Sequence, residues 1–216
     1  MFFRGHSDAS WKLMPAFGRC KLTHRKLTEQ RLYFDFVVKA GALLPPDASG
    51  WNTLFAMQHH GLPTRLLDWT ETFAVALYFA LKEAVGDATV WILNPGLLNE
   101  QSIGHSAILS ETELRGSYID HYGGTPKKLA GEVIAVSPNR HNPRVAQQVS
   151  AFTLHDNLTQ PLEQLHPSVV SKIVLPAGSH AEGRRFLALA GISEFTLFPD
   201  LDGLSRELRM AHIGII

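Results

Sequence analysis

One cysteine, Cys20, in 216 residues leaves no partner for an internal disulfide and no cysteine-based metal cage. Net charge is missing as well: 20 Lys and Arg balance 20 Asp and Glu, with a pI near 7.2. A grip on nucleic acid through bulk electrostatics is therefore not expected, and any such contact needs a local basic patch. No apolar run is long enough to span a bilayer and no charged-then-apolar leader opens the sequence, so a cytoplasmic protein with no membrane partner is expected. There is no internal repeat and no low-complexity linker. The 45% hydrophobic and 19% charged residues are ordinary globular values, and the length fits one domain, 1–216, with room for a real core. Eleven histidines are present, but none stand in His-x-x-x-His or His-Glu-x-x-His spacing, and adjacent His59 and His60 cannot face one site from a regular element. No metal is expected. The Gly-x-Ser-x-Gly elbow and a Gly-rich phosphate loop are absent too.

What is present reads as helices first, then mostly strands, then helices, which predicts an α+β fold with a central mixed or antiparallel sheet flanked by helices. Residues 1–6 predict a strand, with Arg4 and His6 on one face and Phe3 on the other. Leu27–Leu44 predicts a long amphipathic helix ended by Pro45-Pro46, and Trp51–His59 a second helix. Strands are predicted at Ala88–Leu93, closed by Asn94-Pro95-Gly96, and at Glu132–Val136, Val145–Leu154 and Val169–Leu175. Late helices are predicted over Ser179–Ala190 and Asp202–Met210. Ser137–Pro143 reads as a turn with a basic Arg140, His141 and Arg144 patch. Leu97–Gly124 is polar and punctuated, an insertion or a substrate-facing loop.

The densest chemistry lies in Gln58-His59-His60-Gly61-Leu62-Pro63-Thr64-Arg65-Leu66-Leu67-Asp68-Trp69-Thr70, which runs into an apolar helix from Phe73. Gly61 permits unusual φ and Pro63 turns Leu62 away from the helical region, so the preceding helix must end there. Thr70 is a candidate N-cap for the helix that follows. A polar cluster at a strand-to-helix junction predicts a ligand cleft with His59 or His60, Arg65, Asp68 and Thr70 as contacts, the competing reading being an Arg65–Asp68 pair, a helix capped by Thr70 and histidines bonded to backbone.

Phe3-Arg4-Gly5, Trp11-x-Leu13-x-Pro15, the Gln58–Thr70 block and Phe198-Pro199-Asp200-Leu201-Asp202-Gly203-Leu204 together resemble the FRG domain family, over nearly the whole chain. In the last block Asp202 is a candidate cap, with Phe198, Leu201 and Leu204 as core anchors. The order of an aromatic-Arg-Gly strand, a polar strand end before a helix and a late strand also resembles the arginine-serine-glutamate class of ADP-ribosyltransferases. In that class the first-strand Arg holds NAD phosphates, a Ser-Thr-Ser step frames the nicotinamide pocket and a late Glu steadies the ribose.

Carried onto this sequence, the resemblance implies an ADP-ribosyltransferase-like architecture with NAD as substrate. Arg4 becomes the phosphate clamp and Asp68-Trp69-Thr70 stands where the Ser-Thr-Ser step stands. Arg144, Gln148 and Phe152 fit the late strand, where Gln148 replaces the glutamate. Arg4, Asp68, Thr70 and Gln148 are the expected catalytic residues, and His60, Thr64, Arg65 and Trp69 join Arg4 and Thr70 as expected NAD contacts. A nucleic acid or protein would accept the ADP-ribose, as for a toxin or defence effector with a cognate antitoxin. The alternatives are a nucleotide-binding module without turnover, and a hydrolase or nuclease using His60 and Asp68.

Overall fold

A computed structural model describes residues 1–44, 50–114, 116–122, 131–138 and 148–214. The basic patch expected at Arg140, His141 and Arg144 lies outside them. Among the described residues seven strands form one sheet in the order β4-β5-β6-β2-β1-β3-β7. These are β1 (Phe2–His6), β2 (Leu66–Thr70), β3 (Ala88–Leu93), β4 (Leu109–Ser110), β5 (Val133–Ser137), β6 (Ser150–His155) and β7 (Val170–Leu175). All neighbours are antiparallel except β4 and β5. The helices are α1 (Ala16–Arg19), α2 (Arg25–Ala40), α3 (Trp51–His59), α4 (Phe73–Leu81), α5 (Pro95–Ile103), α6 (Tyr118–Tyr122), α7 (Leu162–Leu165), α8 (His180–Leu189), α9 (Glu194–Leu197) and α10 (Leu201–Ile213). The α+β expectation holds. No helix among the described residues is long and apolar enough to cross a membrane.

The sheet has a weak seam at its centre. β1 pairs β3 at five positions, from Phe2↔Leu93 to His6↔Thr89, and β2 pairs β6 at five, from Leu66↔Leu154 to Thr70↔Ser150. Between β1 and β2 there is one pair, Phe3↔Thr70. Continuing that register would set Gly5 opposite Asp68, but the strands part first.

Helix α4 covers the seam on one face. Its sequence is apolar on every side, and Val75, Ala76, Leu77, Ala80 and Leu81 are all buried, as for a helix packed all round. Toward β1 it presents Ala76 and Ala80, and a Cβ on Gly5 would lie 2.0 Å from the Ala76 carbonyl oxygen. Toward the C-terminus Val75 packs with Leu197 and Phe198, and Leu77 and Leu81 with Leu187 of α8. The opposite face of the sheet buries Leu13, Leu67, Trp69, Trp91 and Leu98. A third cluster joins Tyr33 of α2 and Leu54 of α3 to Tyr118, Phe152 and Leu154.

Several boundaries differ from expectation for local reasons. Helix α2 stops at Ala40 because Gly41 takes φ 41°, and a 3-10 turn, Gly41–Leu43, follows. Asn94-Pro95 does not close β3 as a turn but starts α5: Asn94 Oδ1 accepts from Leu97 N at 3.0 Å and Pro95 takes the first helical position. Asp200, not Asp202, caps α10 by accepting from Gly203 N at 2.6 Å. Phe198 is a core anchor, whereas Leu201 is exposed.

Candidate functional site

Where β1 and β2 part, a cleft of about 800 Å³ opens. Phe3, Arg4, Gly5 and His6 all line it, and four consecutive strand residues can do so only if the cleft runs along the strand edge rather than over one face. Val75, Ala76 and Phe79 of α4 form one wall, Trp11, Ala16 and Arg19 another, and Gln58 to Leu62 the mouth. Asp68, Thr70 and Gln148 complete it.

Arg4 bridges the parting strands. Its Nη1 donates to the Asp68 carbonyl oxygen at 2.6 Å and lies 3.7 Å from Asp68 Oδ2. Its Nε donates to His6 Nε2 at 2.9 Å. A guanidinium can only donate, so His6 accepts at Nε2, and its ring is neutral with the proton on Nδ1. Burial and the charge of Arg4 hold the His6 imidazole down at about 3. Burial also lowers the Arg4 pKa, opposed by Asp68 and reinforced by Arg19, a second cation lining the cleft. In contrast to the nearly buried Arg4, Asp68 has a side chain 54% exposed. Gln58 Nε2 donates to Asp68 Oδ2 at 2.8 Å, and Thr64 Oγ1 donates to Gln58 Oε1 at 2.5 Å.

Thr70 and Gln148 meet at the floor. Thr70 Oγ1 donates to the Gln148 carbonyl oxygen at 2.6 Å and accepts from Thr72 N at 3.1 Å. Thr70 therefore ends β2 rather than capping α4; the N-cap position is Thr72, which makes no side-chain cap bond. The Gln148 amide donates to the Leu197 carbonyl oxygen at 3.1 Å, linking the cleft to α9. Next to it Val149 holds φ 46°, a region that a β-branched residue rarely adopts.

Two of the other expected contacts, Arg65 and Thr64, fall elsewhere. Arg65 does not reach the cleft or pair with Asp68. It is buried and bonded by Nε and Nη2 to both oxygens of Glu29, at 2.6 and 2.5 Å, and by Nη1 to the His155 carbonyl oxygen at 2.6 Å. The Tyr122 ring lies 3.5 Å from its guanidinium carbon. Burial would lower the Arg65 pKa, but bonding to Glu29 outweighs it and the net shift is upward. Trp69 does line the cleft, although its side chain points away from Asp68, as strand alternation requires, and its indole N–H donates to Thr153 Oγ1 inside the core. Thr64 is buried behind Gln58 instead of facing the cavity. His60 does line the mouth, at the exposed end of α3, edge-on to His59 at 5.0 Å. Gly5 lines the cleft and also allows the close approach of α4 to β1.

Arg19, Phe79 and Lys82 join the lining without any local sequence signal, because only the tertiary fold brings them there. Among the described residues no group of three His, Cys, Asp or Glu could hold a metal ion.

Comparison with protein families matches residues 1–88 to the FRG domain. No curated protein and no solved structure matches the chain. The matched part is shorter than the motif pattern implies: it holds Arg4, Gln58, Asp68 and Thr70 and stops as β3 begins, leaving Gln148 and the Phe198–Leu204 block outside. Those first 88 residues, which supply both strands of the seam and the helix behind it, are similar to the FRG domain.

Proposed function

We propose that the cleft binds NAD and transfers its ADP-ribose to a macromolecule. The observation that carries this reading is the convergence of Arg4, Asp68, Thr70 and Gln148, from β1, β2 and the approach to β6, on one opening at the seam. Its volume suits a cofactor-sized ligand. Arg4 is the fork for a diphosphate, with Arg19 a second cation nearby.

In this reaction the C1′–N bond of NAD breaks and its electron pair stays on the nicotinamide nitrogen, neutralising the pyridinium. The ribose is left as an oxocarbenium ion until an acceptor nucleophile bonds C1′ and gives up its proton. A carboxylate beside C1′ stabilises that cation, and a neutral amide does so less. Asp68 and Glu83 are the carboxylates lining the cleft, and Asp68 is the one beside Arg4. We assign it the anionic role that Gln148, with its amide turned to Leu197, does not take. Nucleic acid or protein as acceptor, and a toxin or defence role with a cognate antitoxin, belong to this same proposal.

Nicotinamide release by the purified protein, with and without added DNA, RNA or cell lysate, tests it. Asp68→Asn keeps the shape and removes the charge, so release should fall by about 100-fold or more, in line with the loss of one preorganised charge contact. Arg4→Ala should weaken NAD binding and release together. The hydrogen bond that occupies Gln148 favours a second reading, a nucleotide-binding module. It predicts NAD-induced stabilisation with no release. Neither effect would overturn both and return attention to hydrolysis at His60 and Asp68.

A further inference from the structure

We infer that Thr64 and Gln58 are positioning residues that fix the Asp68 carboxylate in the cleft, an inference that rests on the role proposed for Asp68. The direction of each hydrogen bond sets the next. Leu66 N donates to Thr64 Oγ1 at 3.0 Å, so the hydroxyl has a lone pair engaged and its hydrogen free to donate. That hydrogen goes to Gln58 Oε1 at 2.5 Å. A hydroxyl donating to an amide oxygen selects one of the two amide orientations, which turns Nε2 outward. Nε2 then donates to Asp68 Oδ2 at 2.8 Å.

The relay runs from the interior to the cavity. Thr64 is 2% exposed, Gln58 is half-buried and Asp68 stands at the rim. The turn between α3 and β2, where Gly61 takes φ 80°, brings Gln58 and Thr64 together six residues apart. Arg4 Nη1 approaches the same oxygen, Oδ2, at 3.7 Å, so Gln58 of α3 and Arg4 of β1 constrain one side of the carboxylate. An exposed aspartate without such a hold samples several rotamers, and a misplaced carboxylate stabilises a developing cation poorly.

Thr64→Val keeps the shape and removes the hydroxyl, freeing the Gln58 amide to turn its oxygen toward Asp68. With wild-type release as reference, kcat should fall about tenfold while KM stays within about twofold, the size of effect typical of groups supporting a reacting residue. Thr64→Ser, which restores the hydroxyl, should return kcat. Gln58→Leu, at a half-buried helix end, should match Thr64→Val, and the double variant should be no worse than Gln58→Leu. Independently of turnover, the Gln58 side-chain amide protons should exchange slowly by NMR in the wild type and Thr64→Ser, and fast in Thr64→Val.

Unprotected Gln58 protons in the wild type, an unchanged kcat in Thr64→Val, or a Thr64→Ser as slow as Thr64→Val would each overturn the inference. No release by the wild type, with Gln58 protected through Thr64, would instead overturn the transfer reading, and the catalytic positioning role would fall with it.

Discussion

Arg65 carries its charge into the interior, where Glu29 takes two of its donors and Tyr118 Oη donates to Glu29 Oε1 at 2.7 Å. With the Tyr122 ring at its guanidinium, the group ties α2 and α6 to the start of β2. Removing one partner of such a pair leaves the other charge buried and uncompensated. Glu29→Ala should therefore cost about 3–5 kcal/mol in urea unfolding, far from the cleft. Nothing in the order Pro-Thr-Arg-Leu-Leu-Asp separates this arginine from a ligand contact, because its partner is an acid 36 residues earlier. Trp69 is different. Period-two alternation from Asp68 already turns it to the far face, so its place in the core follows from the sequence once β2 is accepted. Arg4, His60, Asp68, Trp69, Thr70 and Gln148 do reach the cleft, and five of these six lie in the two motifs nearest the seam.

Among the elements, α4 has the tightest requirement. Gly5 leaves 2.0 Å between its absent Cβ and the Ala76 carbonyl oxygen and 2.4 Å to Ala80 N, both rigid helix backbone. Gly5→Ala should push α4 away from β1 and destabilise by about 3 kcal/mol, read as a lower midpoint in chemical denaturation, and widen the cleft that α4 walls. A destabilisation below about 0.5 kcal/mol would show that the helix yields easily. Elements with their own periodicity or stop signals, such as α3 and β3, begin and end where the sequence predicts. The stretch 97–124 does not disclose its contents. After α5 ends at Ile103, its pieces β4 and α6 span two and five residues, too short for a periodic pattern, and β4 forms by pairing with β5.

At the scale of the whole molecule, two buried imidazoles set a limit on acid stability. Burial first, then nearby arginine charge, holds both His6 and His155 at about 3. An unfolded histidine takes its proton near pH 6.5. Between those values the unfolded chain binds more protons than the folded one, so stability is full above about pH 6.5 and falls as the pH drops toward 3. Each group should remove about 2 kcal/mol by pH 5. Urea midpoints recorded from pH 8 to 4 should show that decline, while the two ring-proton resonances stay in the neutral position. Titration of either ring near pH 6.5 would contradict the buried, neutral placement.

The seam at Phe3↔Thr70 also changes what a bound molecule does to the protein. Elsewhere each strand of the centre is tied to its neighbour by a full ladder, but β1 and β2 share one pair, and past it the side chain of Arg4 bridges them between the packed layers on the two faces. A ligand bound between Arg4 and Asp68, as proposed, would occupy the place of the missing ladder bonds. It would act as a keystone, its grip on the two walls adding to the cohesion between the halves.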